Sequence, residues 1–150
     1  MSSPVSSNPS VLSGARWFWW IAGLSLVNLF LFYSGSNTSF VVGLAMTAVA
    51  SAVFTDPKVV GMVVAALIIG FYVIAGHFAQ REKLWAFYVG LVVYVLDALI
   101  YMYIEDWMPV VFHAYVIFHL FKGISALRER SAVVPAPAPV EQAQTPEAGA

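Results

Sequence analysis

Residues 96–120, LDALIYMYIEDWMPVVFHAYVIFHL, place Asp97, Glu105, Asp106, His113 and His119 in a stretch that is otherwise almost wholly apolar. A carboxylate and an imidazole are suited to exchanging a proton, and in an apolar surround each needs a partner. If the chain doubles back at Glu105-Asp106, Asp97 lies about 13 Å and His113 about 11 Å from that break, at about 1.5 Å per helical residue. The two fall at matching depth and form the first pair to consider. Tyr94, Asp97, Tyr101 and Glu105 recur at spacings of three and four, which aligns them on one helix face. Tyr115, His119 and Lys122 make a second stripe. The six-residue step from His113 to His119 turns the two rings about 120° apart. Asn28, in an earlier apolar run, reaches a depth near that of His119, so a polar line can be drawn through Asp97, His113, His119 and Asn28. Such a line could relay protons or ions; the plainer role is a set of interhelical hydrogen bonds that fix helix register.

Other chemistries find little support. The chain has no cysteine, which excludes disulfides, thiolate catalysis and iron–sulfur ligation by cysteine. Neither His-x-x-x-His nor Glu-x-x-His occurs, and the third histidine, His77, falls at the far end of its own run, away from the depth a bis-imidazole haem would need. No serine lies in a Gly-x-Ser-x-Gly context, Asp97 has no second aspartate to form an acid-protease dyad, and phosphate-cradling glycine loops are absent. The expectation is therefore no cofactor, no metal and no catalytic residue. A formal net charge of −1 gives no reason to invoke nucleic acid.

The elements that must position these groups follow from composition. With 61% hydrophobic, 15% aromatic and 10% charged residues, the chain reads as an integral membrane protein. Apolar runs near 16–33, 39–55, 58–78, 84–104 and 107–127 predict an all-α bundle of five transmembrane helices over residues 14–129. The second run is the shortest and reads as either a short span or a re-entrant segment. Residues 1–13 and the Pro- and Ala-rich 130–150 are too poor in large apolar groups to order themselves and are expected to be disordered tails. Five crossings would put Arg81, Lys83, Lys122, Arg128 and Arg130 on one side and only Arg16 and Lys58 on the other. That distribution predicts a cytoplasmic C-terminus and an external N-terminus. Small residues spaced by four, Gly43, Thr47 and Ser51 in the second run and Gly61 with Ala65 or Ala66 with Gly70 in the third, predict close helix packing there.

Several stretches carry a resemblance: Trp17-Phe18-Trp19-Trp20-Ile21-Ala22-Gly23-Leu24-Ser25-Leu26 with Asn28; Phe40 with Gly43-Leu44; and Trp85-Ala86-Phe87 with Gly90 and Tyr94. Leu96-Asp97, Asp106-Trp107 and Phe112-His113 complete the pattern. With them the chain resembles a group of small, uncharacterised bacterial integral membrane proteins. The resemblance implies a five-span bundle in a bacterial cytoplasmic membrane and carries no activity with it. The short loops leave no soluble domain for chemistry, which favours a non-enzymatic scaffold, accessory subunit or partner-binding module. Its partners would be the lipid bilayer, further copies of itself or other membrane proteins. The alternative is a small proton- or solute-translocating protein built on Asp97 and His113.

Overall fold

A computed structural model describes residues 5–35, 43–54 and 56–133. Its elements are five α-helices, α1 (Pro9–Tyr33), α2 (Ala45–Val53), α3 (Lys58–Gln80), α4 (Leu84–Tyr103) and α5 (Trp107–Val133), with no strand among the described residues. Helices α1, α3, α4 and α5 are long and apolar enough to cross a membrane.

The second run departs from a full span. Helix α2 has nine residues, about 13 Å of rise, which is less than half of a hydrocarbon core of about 30 Å. Its start is buried in the bundle, where the backbone of Leu44 meets Ser25 and that of Ala45 meets Asp97. Its end lies with the end of α1 and the start of α3. The Tyr33 hydroxyl donates to the Lys58 carbonyl at 3.2 Å, and Gly61 sits against the carbonyls of Ala50 and Phe54. The described part of this segment therefore starts inside and returns to the end at which α1 finishes. Residues 39–42 of the expected span lie outside the described residues.

This return changes the arrangement of the ends. Ser6 donates its backbone N–H to Gln80 at 2.8 Å and its hydroxyl to Glu82 at 2.5 Å, and Arg130 pairs with the same carboxylate. The start of α1, the α3–α4 turn and the end of α5 thus meet at one end of the bundle. Four long helices alternate in direction, so the two described chain ends lie together, and the opposite-sided ends expected from five crossings do not follow.

Helix boundaries also shift. Helix α1 begins at Pro9, seven residues before the expected run, because Asn8 caps it: its side chain accepts from Ser10 N at 2.9 Å and Val11 N at 3.4 Å, and proline suits the first helical position. Residues 5–13, expected to be tail, are thus part of the fold, as is α5 up to Val133; residues 1–4 and 134–150 lie outside the described residues. The α3–α4 and α4–α5 turns share one device. Glu82 and Glu105, both at φ 59°, take the left-handed position after the helix. Lys83 N then bonds Phe78 O, and Asp106 N bonds Tyr101 O, each at 3.1 Å, closing Schellman motifs that let antiparallel helices follow at once.

Between these ends the core is aromatic. Phe18 is fully buried, with ring centroids 5.8 Å from Phe87 and 6.3 Å from Tyr72. It occupies a slot between Gly76 and Gly90, and a Cβ on Gly90 would overlap its ring, lying 2.6 Å from Cζ. Gly90 precedes Asp97 by seven residues, about 10 Å along α4, so this packed layer sits on the Glu82 side of the polar groups. Gly90→Ala is expected to destabilise the protein by about 1–3 kcal/mol through overpacking. Gly70→Ala, where a Cβ would meet nothing within 4 Å, should leave the melting temperature in detergent unchanged or higher; equal losses in both variants would contradict the slot.

Candidate functional site

A helix that begins inside an apolar bundle exposes four backbone N–H groups with no partner in the helix itself. In α2 each of the four is satisfied. Leu44 N donates to Ser25 Oγ of α1 at 3.1 Å, Ala45 N to Asp97 Oδ2 of α4 at 2.9 Å, and Met46 N to Asp97 Oδ1 at 2.8 Å. Thr47 N turns back to Leu44 O at 3.2 Å. The residue at the N-cap position, Leu44, has no side chain able to cap. Asp97, 52 residues downstream of Ala45, performs from another helix the task that an aspartate at the N-cap performs locally. Its two carboxyl oxygens also lie at the positive end of the α2 dipole.

Asp97 is fully buried, as is His113 to within 1%. His113 Nε2 lies 3.0 Å from Asp97 Oδ2, and His113 Nδ1 lies 2.8 Å from the Pro109 carbonyl one turn earlier in α5. A carbonyl only accepts, so Nδ1 carries a proton and donates. The contact between Nε2 and Oδ2 holds one further proton, and the pair is electrically neutral as a unit whichever of the two atoms carries it. Tyr94 stacks on the imidazole with centroids 4.3 Å apart at 16°, and Tyr101 lies against it at 5.3 Å and 53°. Tyr101 also donates its hydroxyl to Gly43 O at 2.9 Å, directly before α2. The spacing 94, 97, 101 along α4 sets these groups on one face, so a single helix stripe orients the imidazole, caps α2 and holds the turn into it.

The structure thus brings together Asp97, His113, Tyr94 and Tyr101. Asn28 joins them from the α1 side, lying so close to Gly43 that a Cβ there would overlap its amide. His119 stands apart: its ring packs on Trp17 at 5.3 Å and Tyr115 at 4.6 Å, on the contact between α1 and α5. Trp17 and Asn28 are eleven residues apart on α1, about 16 Å. The polar line through both histidines to Asn28 is therefore not formed. The reason is the short second helix: with α2 turning back, α1 runs antiparallel to α5, which carries Asn28 to the level of Asp97 and away from His119.

Sequence reasoning missed Ser25 and the backbone donors of α2. Ser25 leaves a weak trace, three residues before Asn28 on a mainly apolar helix. Backbone donors leave none in residue type. Among the described residues no group of three or more acidic or histidine side chains is placed to hold a metal ion. No family model matches the chain, no curated protein matches it, and no solved structure matches its fold.

Replacing Asp97 by leucine would strand two backbone donors and His113 Nε2 in an apolar interior, and is expected to cost about 3–5 kcal/mol. Tyr101→Phe, which removes one hydrogen bond and retains the ring, should cost about 1 kcal/mol. Chemical unfolding in detergent measures both; an Asp97→Leu protein as stable as Tyr101→Phe would contradict the capping role.

Proposed function

We propose that this chain is a non-enzymatic integral membrane protein, a scaffold or accessory subunit in which four spanning helices enclose a re-entrant half-helix. Support for the membrane setting comes from the outward faces: Phe30, Leu67, Val111 and Phe118 are each more than 60% exposed, an apolar surface suited to lipid. Six of the seven basic residues, Arg16, Arg81, Lys83, Lys122, Arg128 and Arg130, belong to the half of the bundle that carries Glu82; Lys58 alone belongs to the other. On this reading the Glu82 end is cytoplasmic and both described chain ends face the cytoplasm.

One observation carries the functional reading. Both carboxylate oxygens of Asp97 and both ring nitrogens of His113 are engaged by the protein itself, in full burial. A group that must take up and release a substrate or ion needs access, and this pair, fully buried and with each polar atom already engaged, has none in the conformation described. The layer of Phe18, Phe87 and Leu120, all fully buried, lies between the pair and the Glu82 end. The pair serves as the lock that holds α2 in place.

A second reading, proton or solute translocation, draws on two features. The proton between Nε2 and Oδ2 has two available sites, and the buried hydroxyl of Tyr72, whose ring lies 6.3 Å from that of Tyr94, has no hydrogen-bond partner among the described residues. Proton leak into liposomes under an imposed potential separates the two, with orientation read from cysteines introduced at Ser7 and Ser131 into a chain that has none. The scaffold reading predicts no leak above that of protein-free vesicles and labelling of both cysteines from the same face. A wild-type leak that Asp97→Asn abolishes at equal melting temperature would establish translocation instead.

A further inference from the structure

At the end of the bundle opposite Glu82, a pocket of about 270 Å³ opens between Phe32, Tyr33 and Gly35 after α1, Ser51 of α2 and Lys58 at the start of α3. The polar site above does not use it. Three features of its wall bear on what it would hold. Among the described residues Lys58 is the one ionised group in the lining, and it gives that wall a positive charge. It is also the first residue of a 23-residue helix whose N-cap, Pro57, offers no side-chain cap. Val60 N turns back to Pro57 O at 3.0 Å, which leaves the N–H groups of Lys58 and Val59 and the positive end of the helix dipole to an anion. Independently of that terminus, the Ser51 hydroxyl belongs to a residue only 2% exposed and has no hydrogen-bond partner among the described residues. A buried hydroxyl without a partner is destabilising, and an anionic oxygen in the pocket would give it one.

The surroundings indicate how such an anion would be presented. Phe30, Val53, Phe54 and Val59 flank the pocket residues in sequence and are 40% to 72% exposed. Such faces suit acyl chains, while the cation lies where helix ends meet the membrane surface. Tyr33 braces the site by donating its hydroxyl to the backbone carbonyl Lys58 O.

We propose that this pocket binds a phosphate group, with Lys58 and the first turn of α3 as its positive wall and Ser51 as a hydrogen-bond donor. The shared chemistry, a phosphate monoanion or diester, is offered both by a phospholipid headgroup and by inorganic phosphate. The site depends on the membrane placement proposed above but not on the scaffold role.

Thermal melting of the purified full chain in neutral detergent tests it, with three probes: phosphatidylglycerol in mixed micelles, phosphatidylcholine in mixed micelles, and inorganic phosphate. Saturation of a specific site is expected to raise the melting temperature by roughly 5–10 °C. Lys58→Gln should lose most of that rise while melting like wild type in detergent alone. Ser51→Ala should also weaken the rise, with unchanged or slightly greater stability in detergent alone, since it removes an unpartnered hydroxyl. A rise with phosphatidylglycerol alone identifies a lipid headgroup site, and a rise with inorganic phosphate identifies a free-anion site. Equal rises with phosphatidylglycerol in wild type and Lys58→Gln, or no rise with any probe, would overturn the proposal. Failure of the chain to insert into liposomes, scored by flotation, would instead count against the membrane reading.

Discussion

Backbone amides in an apolar interior have no water to turn to, and the entry of α2 concentrates four of them at one point of the bundle. Most of the architecture follows from meeting that demand. Ser25 from α1 and Asp97 from α4 accept three of them, Thr47 N turns back to Leu44 O, Tyr101 of α4 donates to the Gly43 carbonyl just before the helix, and His113 from α5 closes on Asp97. Three of the four long helices are thereby tied to the start of one short one. The fourth, α3, supports its other end through Gly61, which lets the α2 carbonyls approach closely. A bundle of long helices alone could slide or rotate with little penalty; donors at fixed positions along α2 specify which residues must face inward and at what depth.

The choice of an aspartate and a histidine follows from the same constraint. A carboxylate can accept from two adjacent amides at once and complements the helix dipole, which a serine or asparagine does less well. A lone carboxylate in this position would be costly, and the imidazole both neutralises it and hands its second N–H to a helix carbonyl. Tyr94 and Tyr101 then hold the ring in plane. Each polar atom in this chain of contacts has a partner, and it is this completeness that favours a structural role for the pair over one in transport.

Much of this was legible in the sequence, unevenly. The matching depth of Asp97 and His113 follows from helix rise counted from the Glu105-Asp106 turn, a local quantity that needs no knowledge of the rest of the fold. The stripe of Tyr94, Asp97 and Tyr101 is likewise set by helical period. What stayed hidden are the principal partners of Asp97, because they are main-chain N–H groups that any residue other than proline carries. The length of the run at 39–55 admitted a re-entrant segment, yet apolarity alone does not distinguish a helix that crosses from one that turns back. That ambiguity propagated: a second run that turns back reverses α1 against α5, brings the described chain ends together and moves Asn28 from the level of His119 to that of Asp97. The early start of α1 rests on Asn8 as its cap and Pro9 at its first position, a local signal that a reading of residues 1–13 by their polar composition does not register.

The central claim is that Asp97 caps α2 across the bundle, and amide hydrogen exchange at Ala45 and Met46 addresses it most directly. First-turn amides without a helical partner ordinarily exchange fast, whereas amides held by a buried carboxylate are protected. The account predicts slow exchange at both positions in wild type. In Asp97→Ala both should exchange at least about tenfold faster, a loss of roughly 1.4 kcal/mol or more of local protection, while amides in the middle of α3 keep their rates. Fast exchange at Ala45 and Met46 in the wild type, or rates untouched by Asp97→Ala, would contradict it.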